Sequence, residues 1–240
     1  MDPDDGQIGP DAALYDRIGV GYDDTRRADP GLADALHHHL GPASGPTLDL
    51  ACGTGNYTIT LVARGRDVIS LDRSWLMLAR AREKSRRSWV LGDVAGLPFL
   101  DAGFAAVLCN LAIHHFPDRE KACAEMGRVL SPGGRLVIFT DFPEQIRNYW
   151  LKAYFPVALE RAADSMPSKT EIARDLAAAG FAPPREVPWL VTANLVDLFM
   201  YAGKQRPELY FDAAVRQGIS TFANLADAAE IADGLARLRA

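Results

Sequence analysis

The chain has few of the features that mark secreted or membrane-spanning proteins. It contains only three cysteines, Cys52, Cys109 and Cys123, and their spacing matches neither a metal nor a redox motif. No run of apolar residues reaches the ~18 residues that a membrane-spanning helix requires. The N-terminal stretch MDPDDGQIGPDAAL is acidic and lacks the basic and apolar regions of a signal peptide. We therefore expect a cytoplasmic protein with no membrane partner and with reduced cysteines.

Basic residues are not in excess either. The sequence has 26 Lys and Arg against 31 Asp and Glu, which gives a net charge of -5 at pH 7. Because affinity for a phosphate backbone comes from clustered Lys and Arg, this balance disfavours nucleic acid as a partner and favours a small molecule. A length of 240 residues suits one sizeable α/β domain and is short for two.

The most informative stretch runs from Thr47 to Asp72 and reads TLDLACGTGNYTITLVARGRDVISLD. A short apolar strand, a turn with Gly53 and Gly55, a helix and a second strand follow one another and end at Asp72. This order predicts a βαβ unit that binds a nucleoside at the carboxyl ends of its strands. The glycines allow a tight turn and close approach to main-chain N–H groups, and Asp72 can accept hydrogen bonds from both hydroxyls of a ribose.

A third glycine would be needed for a dinucleotide, whose pattern is G-x-G-x-x-G. Counting from Gly53, the last position is Thr58, so no glycine lets the start of the helix approach a pyrophosphate. The pattern therefore favours a nucleoside without phosphates, and an NAD-dependent dehydrogenase is kept only as a weaker alternative.

Four motifs in order make the chain resemble class I S-adenosylmethionine-dependent methyltransferases of the small-molecule type. Asp49 to Gly55 is similar to the first motif of that family, and Asp72 matches its ribose-binding acid. The other matches are LGDV with LPF at 91–99, CNLAIHHF at 109–116 and RVLSPGG at 128–134. The resemblance covers roughly residues 45–142 and implies S-adenosyl-L-methionine as cofactor and S-adenosyl-L-homocysteine as product.

The resemblance also implies which residues contact that cofactor. From the four strand ends these are Asp49, Ala51, Cys52, Gly53, Gly55, Asp72, Arg73, Gly92, Asp93, Val94, Asn110 and Leu111. Tyr15, Tyr22 and Arg26 are expected to fold over it, because an aromatic face suits a sulfonium cation and an arginine suits a carboxylate. Two alternatives stay open: the tyrosines pack the N-terminal helix against the sheet, and Asp93 caps a turn instead of binding adenine.

Three residues are candidates for catalysis: His115, Asp141 and Tyr149. A histidine can accept a proton near neutral pH, although transfer from an activated sulfonium mainly needs alignment of two atoms. Asp141 and Tyr149 lie after the fifth strand, next to or within an aromatic segment that is either a lid and acceptor pocket or an amphipathic helix packed on the sheet edge. No metal is expected, because the three consecutive histidines at 37–39 point in different directions around a helix.

The expected fold is a Rossmann-like, doubly wound α/β sheet of six or seven strands in a single methyltransferase domain. Residues 181–191 should contain the sixth strand, and no clean candidate for a seventh follows Thr192. An exposed sheet edge would favour self-association, so a monomer and a homodimer are both open. The expected divisions are N-terminal cap helices at 1–44, a cofactor core at 45–142, a helical lid at 143–167, and the sixth strand with a helical C-terminal tail at 168–240.

The predicted function is methyl transfer from S-adenosylmethionine to an O, N or C atom of a small-molecule acceptor by direct displacement. The acceptor is expected to be a biosynthetic or secondary metabolite. A catalytically silent protein that binds S-adenosylmethionine and acts through interaction is the alternative of a different class.

Overall fold

A parallel sheet of five strands lies at the centre of the computed structural model, which describes residues 21–240. The strands follow the spatial order β3-β2-β1-β4-β5. The strand order therefore reverses between β1 and β4, and in such sheets ligands bind outside the carboxyl ends of the strands at that point. The strands are β1 Thr47–Leu50, β2 Val68–Asp72, β3 Trp89–Leu91, β4 Phe104–Asn110 and β5 Leu130–Phe139.

Helices account for most of the remaining described chain. The α-helices are α1 Tyr22–Thr25, α2 Pro30–His39, α3 Asn56–Ala63, α4 Trp75–Lys84, α5 Arg119–Val129, α6 Pro143–Arg147, α7 Pro156–Ser165, α8 Lys169–Ala178, α9 Ala213–Gln217 and α10 Ala228–Arg239. Short 3₁₀ helices lie at Ile113–His115, Trp150–Ala153, Met200–Lys204 and Pro207–Phe211, and a π-helix lies at Thr221–Leu225.

The side chains of β4 show that both faces of the sheet are buried. Val107 and Cys109 pack in one core with residues of α5 and α8, whereas Ala106 and Leu108 pack in another with residues of α2 and α3. Successive side chains of a strand point to opposite faces, so helices must cover the sheet on both sides. The predicted doubly wound α/β architecture is confirmed.

Several helices begin at a side chain that caps their free N–H groups. Asp29 caps α2 with Pro30 at the first helical position, and Ser74 caps α4. Ser168 and Glu171 form a reciprocal capping box at α8. These side chains bind backbone N–H groups that have no partner inside the helix.

The predicted number of strands is wrong, because the sheet has five strands within residues 21–240. Residues 181–191, where the sixth strand was expected, have no regular secondary structure. Pro183, Pro184 and Pro188 lack the backbone N–H that a strand needs to pair with its neighbour. No described strand pairs with the outer side of β5, which is therefore an edge strand.

The start of β5 is irregular. The strand begins at Leu130, and residues 131–134 form an irregular step within it. Leu130 pairs with Phe104, and the regular register resumes with Arg135 opposite Ala106.

A further hydrophobic cluster lies outside the two cores of the sheet and joins α6 and α7 to the C-terminal helices. Its fully buried members include Leu151, Phe155, Leu159 and Tyr210. Residues 143–166 and 200–238 therefore pack as one helical body, and the predicted helical character of the C-terminal region is confirmed. No helix in the described part of the chain is long and apolar enough to cross a membrane.

Candidate active site

A cavity of about 1640 Å³ opens at the carboxyl ends of the central strands. Its lining includes Asp72 at the end of β2, Asn110 at the end of β4, Asp141 after β5 and Tyr149 of the helical body. Typical pockets for one small ligand measure about 300–1,000 Å³. The cavity is therefore large enough for two small molecules side by side.

The two glycines of the first turn differ in what surrounds them. Gly53 and Gly55 both have left-handed backbones, with φ of 57° and 74°. A Cβ on Gly53 would meet no atom within 4 Å, whereas a Cβ on Gly55 would lie 2.3 Å from the ring of Trp89. Gly53 lines the cavity and Gly55 does not. Gly53 thus leaves its backbone open to a ligand, and Gly55 makes room for a tryptophan.

Gly92 resembles Gly55 in this respect. It is absent from the cavity lining, and a Cβ at this position would lie 2.9 Å from Leu71 Cδ1. The structure therefore gives Gly92 a packing role at the end of β3.

Asp72 is tied directly to the glycine turn. Its Oδ2 accepts a hydrogen bond from Gly53 N and its Oδ1 accepts one from Ser74 N, each at 2.8 Å. The side chain is buried, and burial raises its pKa. A carboxylate has about four lone-pair sites, so these two bonds leave Asp72 able to accept further hydrogen bonds from a ligand.

Asp49 lies buried beneath the same turn. Its Oδ2 accepts a hydrogen bond from Thr58 Oγ1 at 2.5 Å. The pKa of Asp49 is raised to about 7, mainly by burial. The hydrogen bond from Thr58 lowers this pKa, and the nearby charge of Asp72 raises it further. Thr58 occupies the position at which a dinucleotide-binding pattern has its third glycine. Its hydroxyl donates a hydrogen bond to Asp49, and the helix start has no glycine that would let a pyrophosphate come close.

Two residues with strained backbones and one unreactive cysteine complete this part of the lining. Ala51 and Leu111 adopt left-handed backbones, with φ of 53° and 52°. Non-glycine residues in this region cost about 1–3 kcal/mol each and occur preferentially at ligand sites. Burial raises the pKa of the Cys52 thiol well above its usual value, so Cys52 is a protonated thiol and a weak nucleophile.

Arg26 reaches the cavity but is held by a residue that sequence analysis missed. Its Nε donates to Asp197 Oδ1 at 2.6 Å, and its guanidinium lies over the ring of Tyr22 at 5.2 Å. Tyr57 donates to the other oxygen of Asp197 at 3.0 Å. Asp197 is 1% exposed and lies 171 positions from Arg26, so its spacing gave no signal. Tyr15 lies outside the described residues.

Asp23, in α1, holds that helix against the glycine turn through hydrogen bonds. Its Oδ1 accepts hydrogen bonds from Thr54 Oγ1 at 2.5 Å, Asn56 Nδ2 at 3.0 Å and Lys84 Nζ at 2.8 Å. Sequence analysis gave Asp23 no role, although its partners lie in the first motif, at the start of α3 and at the end of α4. The segment that contains Tyr22 and Arg26 is therefore fixed beside the turn.

Arg73, Asp93 and Val94 all line the cavity. Arg73 and Asp93 are exposed, and Val94 is partly buried. Asp93 Oδ1 accepts a hydrogen bond from Ala95 N at 2.8 Å, which is the turn-capping alternative that the sequence left open. The structure thus places these three residues at the mouth of the cavity.

The end of β4 contains polar atoms that lack protein partners. Asn110 Oδ1 and His114 Nδ1 are buried and have no hydrogen-bond partner among residues 21–240. Burial, followed by the proximity of His115, holds the pKa of His114 well below its usual value, so this ring is neutral. His115 also lines the cavity, with its ring centroid 3.9 Å from that of His114. A bound polar ligand would satisfy these buried atoms.

Tyr149 and Asp141 differ as possible proton acceptors. Tyr149 lies 2.8 Å from the hydroxyl of Tyr210, which itself donates to Met200 O. Because Tyr210 uses its proton on that carbonyl, Tyr149 donates to Tyr210. Burial raises the pKa of Tyr149 to about 12, so it is a neutral phenol at pH 7 and a poor base. Burial also raises the pKa of Asp141, which makes its carboxylate more basic.

The three histidines of α2 form no metal site. His37 Nδ1 accepts a hydrogen bond from Arg66 Nε at 3.2 Å. In the part of the chain that the structure describes, no group of three His, Cys, Asp or Glu side chains could hold a metal ion.

Comparisons with known proteins identify the family. The family described as "Methyltransferase domain" matches residues 48–138. Demethylmenaquinone methyltransferase of Thermus thermophilus is 42% identical over 103 residues, a match that spans 40% of this chain and 46% of that protein. Demethylmenaquinone methyltransferase of Renibacterium salmoninarum is 30% identical over 184 residues, which are 70% of this chain and 76% of that protein.

One solved structure is similar over most of both chains. It is an Anabaena variabilis protein provisionally assigned as a methyltransferase from an antibiotic biosynthesis pathway. The TM-score is 0.80 at 32% sequence identity, and the match covers 90% of this chain and 86% of that one. Together with the strand order and the position of the glycine turn, these matches show that the chain belongs to the class I S-adenosylmethionine-dependent methyltransferases of the small-molecule type.

Proposed function

We propose that the protein transfers a methyl group from S-adenosyl-L-methionine to an O, N or C atom of a biosynthetic or secondary metabolite by direct displacement. The observation that carries this proposal is the single cavity that joins the Gly53 turn and Asp72 to the space beside the helical body. Its volume of about 1640 Å³ has room for a cofactor and an acceptor together. The relatives named above act, by their names, on demethylmenaquinone, which also is a small molecule.

The lining fits an adenosyl group without phosphates. Gly53 leaves its backbone open, and Asp72 can accept hydrogen bonds from ribose hydroxyls. Asn110 Oδ1 is a buried acceptor without a partner among the described residues, and it suits the ammonium group of a methionine moiety. We assign the adenine to Asp93 and Val94, and the rest of the cofactor to Tyr22, Arg26, Asp49, Ala51, Cys52, Arg73 and Leu111.

S-adenosylmethionine supplies a methyl group on a positively charged sulfur, which is already an activated leaving group. The protein then mainly has to align the acceptor and exclude water. We assign water exclusion to residues 143–167, which would act as a lid over a core formed by 45–142, with the described part of 1–44 as a cap and 168–240 completing one domain. His115 and Asp141 would accept a proton when the acceptor is a hydroxyl or a protonated amine, and Tyr149 would contact the acceptor as a neutral phenol.

Calorimetric titration with S-adenosylhomocysteine and with NAD tests the cofactor assignment. We expect binding of S-adenosylhomocysteine and no binding of NAD. Asp72→Ala should weaken binding by about 1.5–3 kcal/mol, the usual value for hydrogen bonds to a charged group. Asp67→Ala is the matched control, because Asp67 is exposed and precedes the same strand. Equal affinities of the two variants would place the ribose elsewhere.

Turnover of S-adenosylmethionine with a panel of small metabolites tests the catalytic part of the proposal. We expect release of S-adenosylhomocysteine that depends on one class of acceptor. Binding without turnover on any acceptor would favour the silent interaction protein, which no observation in the structure supports.

A further inference from the structure

One wall of the cavity consists of aromatic rings that contact one another in series. The order is Trp189, Phe139, Phe199, Tyr201, Tyr149 and Trp150, with successive ring centroids 4.7–6.5 Å apart. All six line the cavity, and they come from β5, from residues 149–150 and from residues 189–201. Aromatic rings attract other rings in offset or edge-to-face arrangements at such distances. The wall therefore favours a flat aromatic ligand.

Two polar groups interrupt this wall at the end of β5. The Tyr201 hydroxyl is buried and makes no hydrogen bond of standard geometry with any described residue. Burial, then the charge of Asp141 and a poorly aligned hydrogen bond to it, raises the Tyr201 pKa, so the two groups already lie next to each other. A buried hydroxyl that makes only a poorly aligned contact loses part of the ~0.5–1.5 kcal/mol that a hydrogen bond contributes. A ligand oxygen that accepts from Tyr201 and donates to Asp141 would satisfy both groups.

The position of Asp141 also suits contact with the reacting atom. Phe139 pairs with Asn110 across β4 and β5, and Leu111 N donates to Phe139 O at 2.8 Å. Asp141 follows two residues later and so lies at the same sheet edge as Asn110. That edge is also where the proposed function places the methionine moiety, beside Asn110.

We propose that the methyl acceptor is a flat aromatic molecule with a hydroxyl group, bound along the aromatic wall with the hydroxyl between Tyr201 and Asp141. This inference rests on the proposed function and selects oxygen among its three possible acceptor atoms. The hydroxyl would lose its proton to a carboxylate oxygen of Asp141, and its oxygen would form a bond to the methyl carbon as the bond from that carbon to the sulfonium sulfur breaks. The electron pair of the broken bond would stay on sulfur, so that S-adenosylhomocysteine is the leaving group. The product is a methyl ether, and Asp141 then releases the proton to solvent.

An ammonium group is the main competitor for this place, because a carboxylate among aromatic rings suits a cation. An ammonium has three donors and no acceptor, so it would compete with Tyr201 for the oxygens of Asp141. A hydroxyl both accepts and donates, and it can therefore satisfy Tyr201 and Asp141 together.

Binding of three matched probes to the protein saturated with S-adenosylhomocysteine tests the ligand class. The probes are 2-naphthol, decahydro-2-naphthol and 2-naphthylmethylamine, which separate the effects of the aromatic ring and of the hydroxyl group. We expect 2-naphthol to bind at least about tenfold more tightly than either other probe, which corresponds to about 1.4 kcal/mol. Equal or tighter binding of the saturated alcohol or of the amine would overturn the inference.

Two variants test the residues. Tyr201→Phe and Asp141→Asn should each weaken 2-naphthol binding about tenfold, because the first removes a hydrogen-bond donor and the second replaces a charged acceptor by a neutral one in a buried site. Affinity for S-adenosylhomocysteine should stay within about twofold, well below the effect of one lost hydrogen bond. Tyr154→Phe and Asp164→Asn are the matched controls, since neither residue lines the cavity.

The cofactor titration separates failure of this inference from failure of the proposed function. A wild-type protein that does not bind S-adenosylhomocysteine would refute the proposed function. A protein that binds it but in which Tyr201→Phe and Asp141→Asn leave 2-naphthol binding unchanged would refute only the acceptor assignment. A loss of cofactor affinity in Tyr201→Phe equal to its loss of naphthol affinity would show a structural role and would also overturn the inference.

Discussion

Replacing each glycine of the first turn by alanine should separate ligand approach from packing. Gly53 and Gly55 are two residues apart and have similar left-handed backbones. An L-residue in this conformation costs roughly 1–2 kcal/mol, so both variants carry the same backbone penalty. Any further difference must come from what the new methyl group meets.

The new methyl group at position 55 would collide with Trp89. Its Cβ would lie 2.3 and 2.7 Å from two ring carbons, and Trp89 Nε1 donates to Ser85 O at 3.0 Å, which restrains the ring. Overpacking of this kind costs typically about 1–3 kcal/mol. Together with the backbone penalty, Gly55→Ala should lower the free energy of unfolding by roughly 2–5 kcal/mol.

The new methyl group at position 53 would enter the open cavity instead. Gly53→Ala should therefore lower the free energy of unfolding by only about 1–2 kcal/mol while it weakens binding of S-adenosylhomocysteine. Urea unfolding followed by tryptophan fluorescence measures the first quantity, and calorimetric titration measures the second. Equal destabilisation by the two variants, or normal cofactor affinity of a folded Gly53→Ala protein, would refute the reasoning.

Two further predictions concern buried acids. Asp197→Ala should lower the free energy of unfolding by about 3–5 kcal/mol in urea unfolding, because it leaves Arg26 without its buried partner; a loss below about 1 kcal/mol would contradict this. Burial raises the pKa of Asp49 above its unfolded value of 3.8 to about 7, so the folded protein binds the extra proton and stability should fall as pH rises through this window. Relative to Asp49→Asn, the wild type should lose up to about 1.4 kcal/mol per pH unit between about pH 4 and 7, and parallel pH profiles of the two proteins would contradict the prediction.

The sequence by itself determined the elements whose signals are local. The strand Trp89–Leu91 and the helix caps Asp29, Ser74 and Ser168 follow from residues that are adjacent in the sequence. Each depends on a few neighbouring residues, because a cap needs only a side-chain oxygen beside free N–H groups. Gly53 and Asp72 also meet for a nearly local reason, since one βαβ unit brings the ends of its two strands together.

The tertiary structure decided everything that depends on distant contacts. Gly53 and Gly55 look equivalent in the sequence, and only the later strand that contains Trp89 gives them different roles. Asp197 meets Arg26, and Tyr201 meets Asp141, because the C-terminal segment folds back to the carboxyl end of the sheet. The missing sixth strand is an intermediate case, because the prolines at 183, 184 and 188 are visible in the sequence and oppose the strand that the family resemblance implies. Propensity acts over a few residues, whereas a binding cavity is assembled from segments whose approach depends on the packing of the whole chain.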